Sequence, residues 1–126
     1  MNVVDTSAWL EFFSGGGNAA AFSAPIKQTQ DLIVPTICIY EISKVILRES
    51  DENHLIQVLA ALHQGQIVAL TPSLASAAAK ISLANRLPMA DSIIYATAKL
   101  HAATTWTQDK DFEMLSDVKY LPKQKK

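Results

Sequence analysis

Short apolar runs that alternate with helical segments constrain this chain more than any other feature of its sequence. Three of these runs lie at Leu32–Val34, Ile67–Leu70 and Ala103–Trp106. Between the first two, apolar residues recur at the three- and four-residue spacing of amphipathic helices. Strands that alternate with helices are typical of a parallel sheet covered on both faces. The sequence therefore predicts an α/β fold with one layered domain.

Two further strands and six helices complete this pattern. The strands are predicted at Asn2–Val4 and Val118–Leu121, which gives a sheet of four to five strands. The first helix follows Asp5 and ends at a glycine-rich run, residues 15–17, which we expect to form a flexible loop with Asn18. Four other helices are predicted at residues 19–29, 37–49, 72–85 and 89–100. One more is predicted after a cap at residues 50–53, running through Leu62 and ending near Gly65.

The composition excludes several classes of protein. A length of 126 residues fits one domain, and an apolar content of 49% is enough for a buried core. The net charge of −1 argues against a polybasic nucleic-acid arm and against a charged disordered chain. Cys38 is the single cysteine, so the chain has neither an intramolecular disulfide nor a multi-cysteine zinc site.

The same sequence gives no sign of a membrane segment. Its longest apolar candidate is interrupted by Lys80 and by polar residues, and its first residues lack the basic and apolar stretches of a signal peptide. We therefore expect a cytoplasmic protein that does not enter a membrane. A domain over residues 1–122 and a mobile basic tail at residues 123–126 are predicted.

Acidic residues follow the predicted strands and open the neighbouring helices. Asp5 follows the first strand, Asp109 and Asp111 follow a later one, and Glu41 and Asp91 lie in early helical turns. Ligands bind at the carboxyl ends of the strands in open parallel sheets, so these carboxylates are expected to converge. Like charges repel at close range unless a cation joins them, and oxygen ligands favour Mg²⁺ or Mn²⁺ over zinc.

Each acid also has an ordinary structural explanation. Asp5 is suited to cap a helix, and Asp91 to favour the positive end of a helix dipole. Glu41 is placed to pair with a lysine three residues later, while Asp109 and Asp111 are common turn residues. Their recurrence at one edge of the sheet favours a joint site, although spacing alone leaves both explanations open.

Four segments of the chain resemble the PIN-domain ribonucleases, in particular the VapC-type toxins of bacterial toxin–antitoxin pairs. The matching stretches occur in the family's order: VVDTSAW at residues 3–9, IYEI at 39–42, MADSIIYATA at 89–98 and TQDKDF at 107–112. The resemblance implies a PIN-like three-layer α/β/α sandwich with a central, mainly parallel sheet of four to five strands.

The resemblance also implies the site residues. Four acids match the catalytic quartet that holds one or two Mg²⁺ or Mn²⁺ ions: Asp5, Glu41, Asp91 and Asp109. Asp111 occupies a variable position and is carried over only as an auxiliary acid. Three hydroxyl residues match positions near the metal, where they orient carboxylates or water: Thr6, Ser7 and Thr107. Gln108 stands where many members have arginine, so that loop's contact with the substrate backbone is not carried over.

The function implied is a metal-dependent ribonuclease that acts as the toxin of a VapBC-type pair. Its expected partners are an RNA with an exposed loop, a small VapB-like antitoxin and a second copy of the chain in a homodimer. Two alternatives stay open: a PIN-fold RNA-processing nuclease outside such a pair, and a non-catalytic RNA- or protein-binding module. A phosphoacceptor signalling module is disfavoured because it needs paired acids after the first strand, where only Asp5 is found.

Overall fold

Five short strands form one parallel sheet in the computed structural model, which describes residues 1–124. The sheet has the order β3-β2-β1-β4-β5. Its strands are β1 Asn2–Val4, β2 Leu32–Pro35, β3 Gln66–Val68, β4 Thr104–Thr107 and β5 Val118–Tyr120. All five lie where the apolar runs predict them; β1 has the predicted bounds, and the ends of the others differ by at most two residues.

Six α-helices connect the strands, as predicted, within residues 1–124. They are α1 Thr6–Ser14, α2 Ala19–Lys27, α3 Thr36–Glu49, α4 Glu52–Leu62, α5 Pro72–Asn85 and α6 Met89–Leu100. The second helix ends at Lys27 instead of Thr29, and a short 3-10 turn, Thr29–Asp31, leads into β2. A second 3-10 turn, Lys110–Phe112, lies in the loop after β4. None of the helices within these residues combines the length and apolar character needed to cross a bilayer.

The central strands are buried on both faces, which confirms the layered α/β/α architecture. Successive residues of a strand point to opposite faces, and both Val3 and Val4 of β1 are fully buried. All residues of β2 are buried as well. Trp9 of α1 is fully buried and stacks on Phe13 at a centroid distance of 5.6 Å, so these aromatic residues belong to the core.

The order of the strands determines where a site can form. From β1 the chain moves to β2 and β3 on one side, then returns to β4 and β5 on the other. The connections therefore diverge at the boundary between β1 and β4, which leaves a crevice at their carboxyl ends. Asp5 directly follows β1, and the segment from Thr107 to Asp111 leaves β4 at the same edge.

The C-terminal segment returns to this region. Leu121 donates its backbone N–H to the carbonyl of Thr107 at 2.9 Å, and the side chain of Gln124 lies against Gly17. Lys125 and Lys126 lie outside the described residues. The division into a domain of residues 1–122 and a basic tail of residues 123–126 stays a prediction.

Candidate active site

Asp5 is a buried carboxylate whose two oxygens are both held by hydrogen bonds. It is 2% exposed and caps α1, accepting from the backbone N–H of Ala8 at 2.9 Å. The same oxygen, Oδ1, accepts from Ser7 Oγ at 2.7 Å, while Oδ2 accepts from Thr107 Oγ1 at 2.6 Å. Burial raises the pKa of Asp5 from its ordinary value of 3.8 to about 6, despite these donors. Asp5 is therefore both the N-cap of α1 and an ionisable group whose charged form is disfavoured by burial.

Thr107 connects the ends of the two central strands. Its hydroxyl donates to Asp5 and accepts from the backbone N–H of Asp109 at 2.9 Å. Asp109 Oδ1 in turn accepts from the backbone N–H of Asp111 at 2.9 Å, which orders the turn after β4. Asp109, in the turn, and Asp5, the cap of α1, are therefore joined through Thr107 in one hydrogen-bond network.

Glu41 reaches the same region from α3. Thr6 Oγ1 donates to Glu41 Oε1 at 2.6 Å across the gap between α1 and α3. The ion pairs found among residues 1–124 are Arg48 with Glu49 and Lys99 with Asp117, so Glu41 does not form the pair with Lys44 that its spacing suggested. All three predicted hydroxyl residues thus donate to a predicted site carboxylate.

Asp91 lies in the first turn of α6 and is half-buried. Its pKa is raised to about 7, mainly by burial and then by the negative charges of four neighbours. These neighbours are, in order of effect, Asp109, Asp5, Asp111 and Glu41. The fold therefore brings together all the acids that the sequence singled out, from four separate segments of the chain.

The tightest group in this cluster is formed by three acids. One carboxylate oxygen each from Asp91, Asp109 and Asp111 lies within 4.8 Å of the others. Asp111, an auxiliary acid in the sequence prediction, is a member of this trio, whereas Asp5 and Glu41 are not. Within residues 1–124 no Lys or Arg forms an ion pair with any of the five acids. Such oxygen donors fit a hard divalent cation such as Mg²⁺ or Mn²⁺.

Asn18 belongs to the same region, although its sequence position gave only a flexible loop. It is 5% exposed and donates from Nδ2 to the carbonyl of Pro122 at 2.9 Å and to Gln108 Oε1 at 3.2 Å. Gly15 does end α1 in the left-handed conformation, with φ 71°. The bonds of Asn18 nevertheless tie the following loop to the segment after β4. An asparagine after three glycines is the signal that the sequence offers for this role.

Comparison with known proteins agrees with this architecture. The family model of the PIN domain matches residues 3–118. A toxin–antitoxin complex from Klebsiella pneumoniae is similar in structure, with 22% identity, a TM-score of 0.81 and coverage of 94% of this chain and 96% of that chain. No curated protein matches the chain in sequence.

Two further solved structures share the fold. A VapC toxin from Mycobacterium tuberculosis, described as cleaving the sarcin–ricin loop, has 13% identity, a TM-score of 0.75 and coverage of 92% of this chain and 95% of that chain. The DNA-bound VapBC of Salmonella typhimurium has 14% identity, a TM-score of 0.74 and coverage of 96% of each chain. With the family model matched over nearly the whole length, the chain belongs to the PIN domain family.

Proposed function

We propose that this protein is a divalent-metal-dependent ribonuclease and the toxin of a VapBC-type toxin–antitoxin pair. The observation that carries the proposal is the convergence of five carboxylates, two of them with raised pKa values, without an ion pair to any Lys or Arg among residues 1–124. Such a cluster is unfavourable by itself and becomes favourable when a cation joins the charges. The family and the similarity to toxin–antitoxin structures support the same function.

In this proposal the acids bind the cation, and the hydroxyl residues orient the acids. Asp91, Asp109 and Asp111 are the acids placed closest together to hold the cation, and Asp5 and Glu41 lie near enough for their charges to raise the pKa of Asp91. When bound, Mg²⁺ or Mn²⁺ lowers the pKa of water and neutralises charge on the phosphodiester. Thr107 and Ser7 fix both oxygens of Asp5, and Thr6 fixes Glu41, so the acids are oriented before the substrate arrives.

RNA is the substrate that we propose for this site. When the four predicted catalytic acids are set aside, the sequence has eleven basic and eight acidic residues. This excess of positive charge favours the approach of a polyanion. The M. tuberculosis relative is described as cleaving the sarcin–ricin loop, which supports a loop of a structured RNA as the target that we propose. We also propose a VapB-like antitoxin as partner, supported by the toxin–antitoxin complexes among the similar structures. A homodimer and a cytoplasmic location are part of the same proposal, as the family resemblance implies for the dimer and as the sequence predicts for the location.

Brief induction of the protein in cells tests this function. The 5′ ends of cellular RNA are mapped after induction of the native chain and of Asp5→Ala. We expect growth arrest and new 5′ ends with the native chain alone, and relief of the arrest by the product of the neighbouring small open reading frame. Cleavage by Asp5→Ala, or cleavage that EDTA does not stop, would refute the metal-dependent mechanism. Cleavage without arrest would point to an RNA-processing nuclease instead.

Thr107→Val is expected to reduce cleavage by about 10- to 100-fold, because it removes the hydroxyl that joins Asp5 to Asp109. Thr105→Val is the matched control on the same strand, since Thr105 is fully buried and its hydroxyl has no hydrogen-bond partner among residues 1–124. That control is expected to keep full activity and to be equally or more stable. The measurement is the Mg²⁺ dependence of RNA cleavage, and equal rates for the two variants would contradict the role given to Thr107.

A further inference from the structure

We propose that Tyr95 is a positioning residue that sets the distance between Asp91 and the other two acids of the trio. Asp91 lies on α6, whereas Asp109 and Asp111 lie on the connection between β4 and β5, residues 108–117. Tyr95 joins these two parts of the protein from a position one helical turn after Asp91. This inference rests on the proposed metal-dependent function and assigns a role to a residue outside the acids and hydroxyls of the site.

The aromatic ring of Tyr95 packs in a small core next to the acids. It is 4% exposed and contacts the fully buried ring of Phe112 edge to face, at a centroid distance of 6.5 Å. Leu87 is the third buried member of this core. Phe112 directly follows Asp111, and Leu87 lies two residues before the start of α6. The ring contact therefore packs the start of α6 against the turn that carries Asp109 and Asp111.

The hydroxyl of Tyr95 binds the same connection, five residues beyond Asp111. It lies 2.8 Å from the carbonyl of Ser116 and 3.1 Å from Ser116 Oγ. A carbonyl only accepts, so Tyr95 donates to it, and the Tyr95 oxygen accepts from the Ser116 hydroxyl. Lys99, one further turn along α6, donates to Ser116 Oγ at 2.8 Å and to Asp117 Oδ2 at 3.0 Å. The two hydroxyls therefore form one directed chain of hydrogen bonds from Lys99 to the carbonyl of Ser116.

Asp91, Tyr95 and Lys99 recur at every fourth residue, so they form one stripe along the side of α6 that faces the connection. Hydrogen bonds within the connection do not replace this contact. The backbone N–H of Asp111 donates to Asp109 Oδ1, which relates these two acids to each other but not to Asp91. Like charges drive the three carboxylates apart when no cation joins them, so a contact between α6 and the connection is needed to oppose their separation. Tyr95 supplies that contact one turn away from the acids.

Tyr95→Phe tests the proposal because it removes the hydroxyl and keeps the ring against Phe112. Mn²⁺ affinity, titrated without RNA through the electron paramagnetic resonance signal of the free ion, is expected to fall about fivefold. The rate of RNA cleavage at saturating Mn²⁺ is expected to stay near the native value, because the ion that joins the acids also holds them together. Thr97→Val is the matched control, since it also removes a hydroxyl from α6, one that donates to the carbonyl of Ile93 within the helix at 2.8 Å. That control is expected to leave Mn²⁺ affinity unchanged.

A merely structural role of Tyr95 predicts a different pattern. Tyr95→Phe would then lower the melting temperature in EDTA without changing the Mn²⁺ affinity of the folded protein, and this outcome would overturn the proposal. An equal loss of Mn²⁺ affinity in Tyr95→Phe and Thr97→Val would also contradict it. A native chain that binds Mn²⁺ no more tightly than Asp91→Asn would refute the cation site together with the role of Tyr95. If Mn²⁺ binding follows the prediction but the native chain cleaves no more RNA than Asp91→Asn, the role of Tyr95 is supported and only the ribonuclease function fails.

Discussion

Asp91→Asn is expected to abolish RNA cleavage and, at the same time, to stabilise the metal-free protein at neutral pH. Asp91 is one of the three acids whose oxygens lie closest together, so its loss removes a ligand for the cation. We expect cleavage to fall by at least about 10²- to 10³-fold. The gain in stability has the same origin, because burial and four neighbouring acids disfavour the ionised form of Asp91, and asparagine carries no charge.

Thermal melting in EDTA and cleavage in Mg²⁺ measure the two halves of this prediction. Asp31→Asn is the matched control, since Asp31 is exposed and lies before β2, at the edge of the sheet away from the acids. It is expected to leave both cleavage and melting temperature unchanged. If Asp91→Asn melted below the native chain in EDTA, the acids would not be repelling each other as the structure indicates.

The metal-free protein is expected to lose stability as the pH rises from about 4 to about 7, with Mg²⁺ restoring it. Folding raises the pKa of Asp5 to about 6 and that of Asp91 to about 7, both from 3.8. Between these values the folded state binds more protons than the unfolded state, so the free energy of unfolding decreases with pH. For buried Asp5 alone the loss is about 3 kcal/mol, at about 1.4 kcal/mol for each pH unit.

Melting curves at pH 5 and pH 7.5, each with EDTA and with Mg²⁺, test this pH dependence. With EDTA the melting temperature is expected to be lower at pH 7.5 by about 10 °C. Mg²⁺ is expected to stabilise the protein strongly at pH 7.5 and weakly at pH 5, where protons compete for the same oxygens. Asp91→Asn should flatten the dependence on pH, whereas an equal effect of Mg²⁺ at both pH values would show that the ion binds elsewhere.

The differences between predicted and observed strands have a common cause in strand pairing. The apolar run at Ile67–Leu70 predicts a strand to Leu70, but β3 ends at Val68. Val68 pairs with Pro35, the last residue of β2, so the residues after it have no neighbouring strand. Conversely, β4 extends to Thr107 because that residue pairs with Tyr120 of β5. Hydrophobic pattern locates a strand, but its ends depend on its neighbours.

From the sequence one could predict which acids form the site and that they lie at the carboxyl ends of the strands. Asp5, Asp91 and Asp109 follow strands or open helices, and parallel pairing takes such positions to one edge. The place of Asp111 in the tightest trio was not predictable, because it depends on the turn that Asp109 caps after β4. The buried role of Asn18 was hidden as well, since its partners are 90 and 104 residues away.

By itself, the sequence determined the order of strands and helices and the acids at their ends, because periodicity and helix-capping preferences are local properties of the chain. Only the tertiary structure decided which oxygens meet, which hydroxyl holds which carboxylate and how far burial shifts the pKa values of Asp5 and Asp91. Distances of a few ångströms between residues far apart in the chain depend on how the helices pack on the sheet, and that packing is a property of the whole fold.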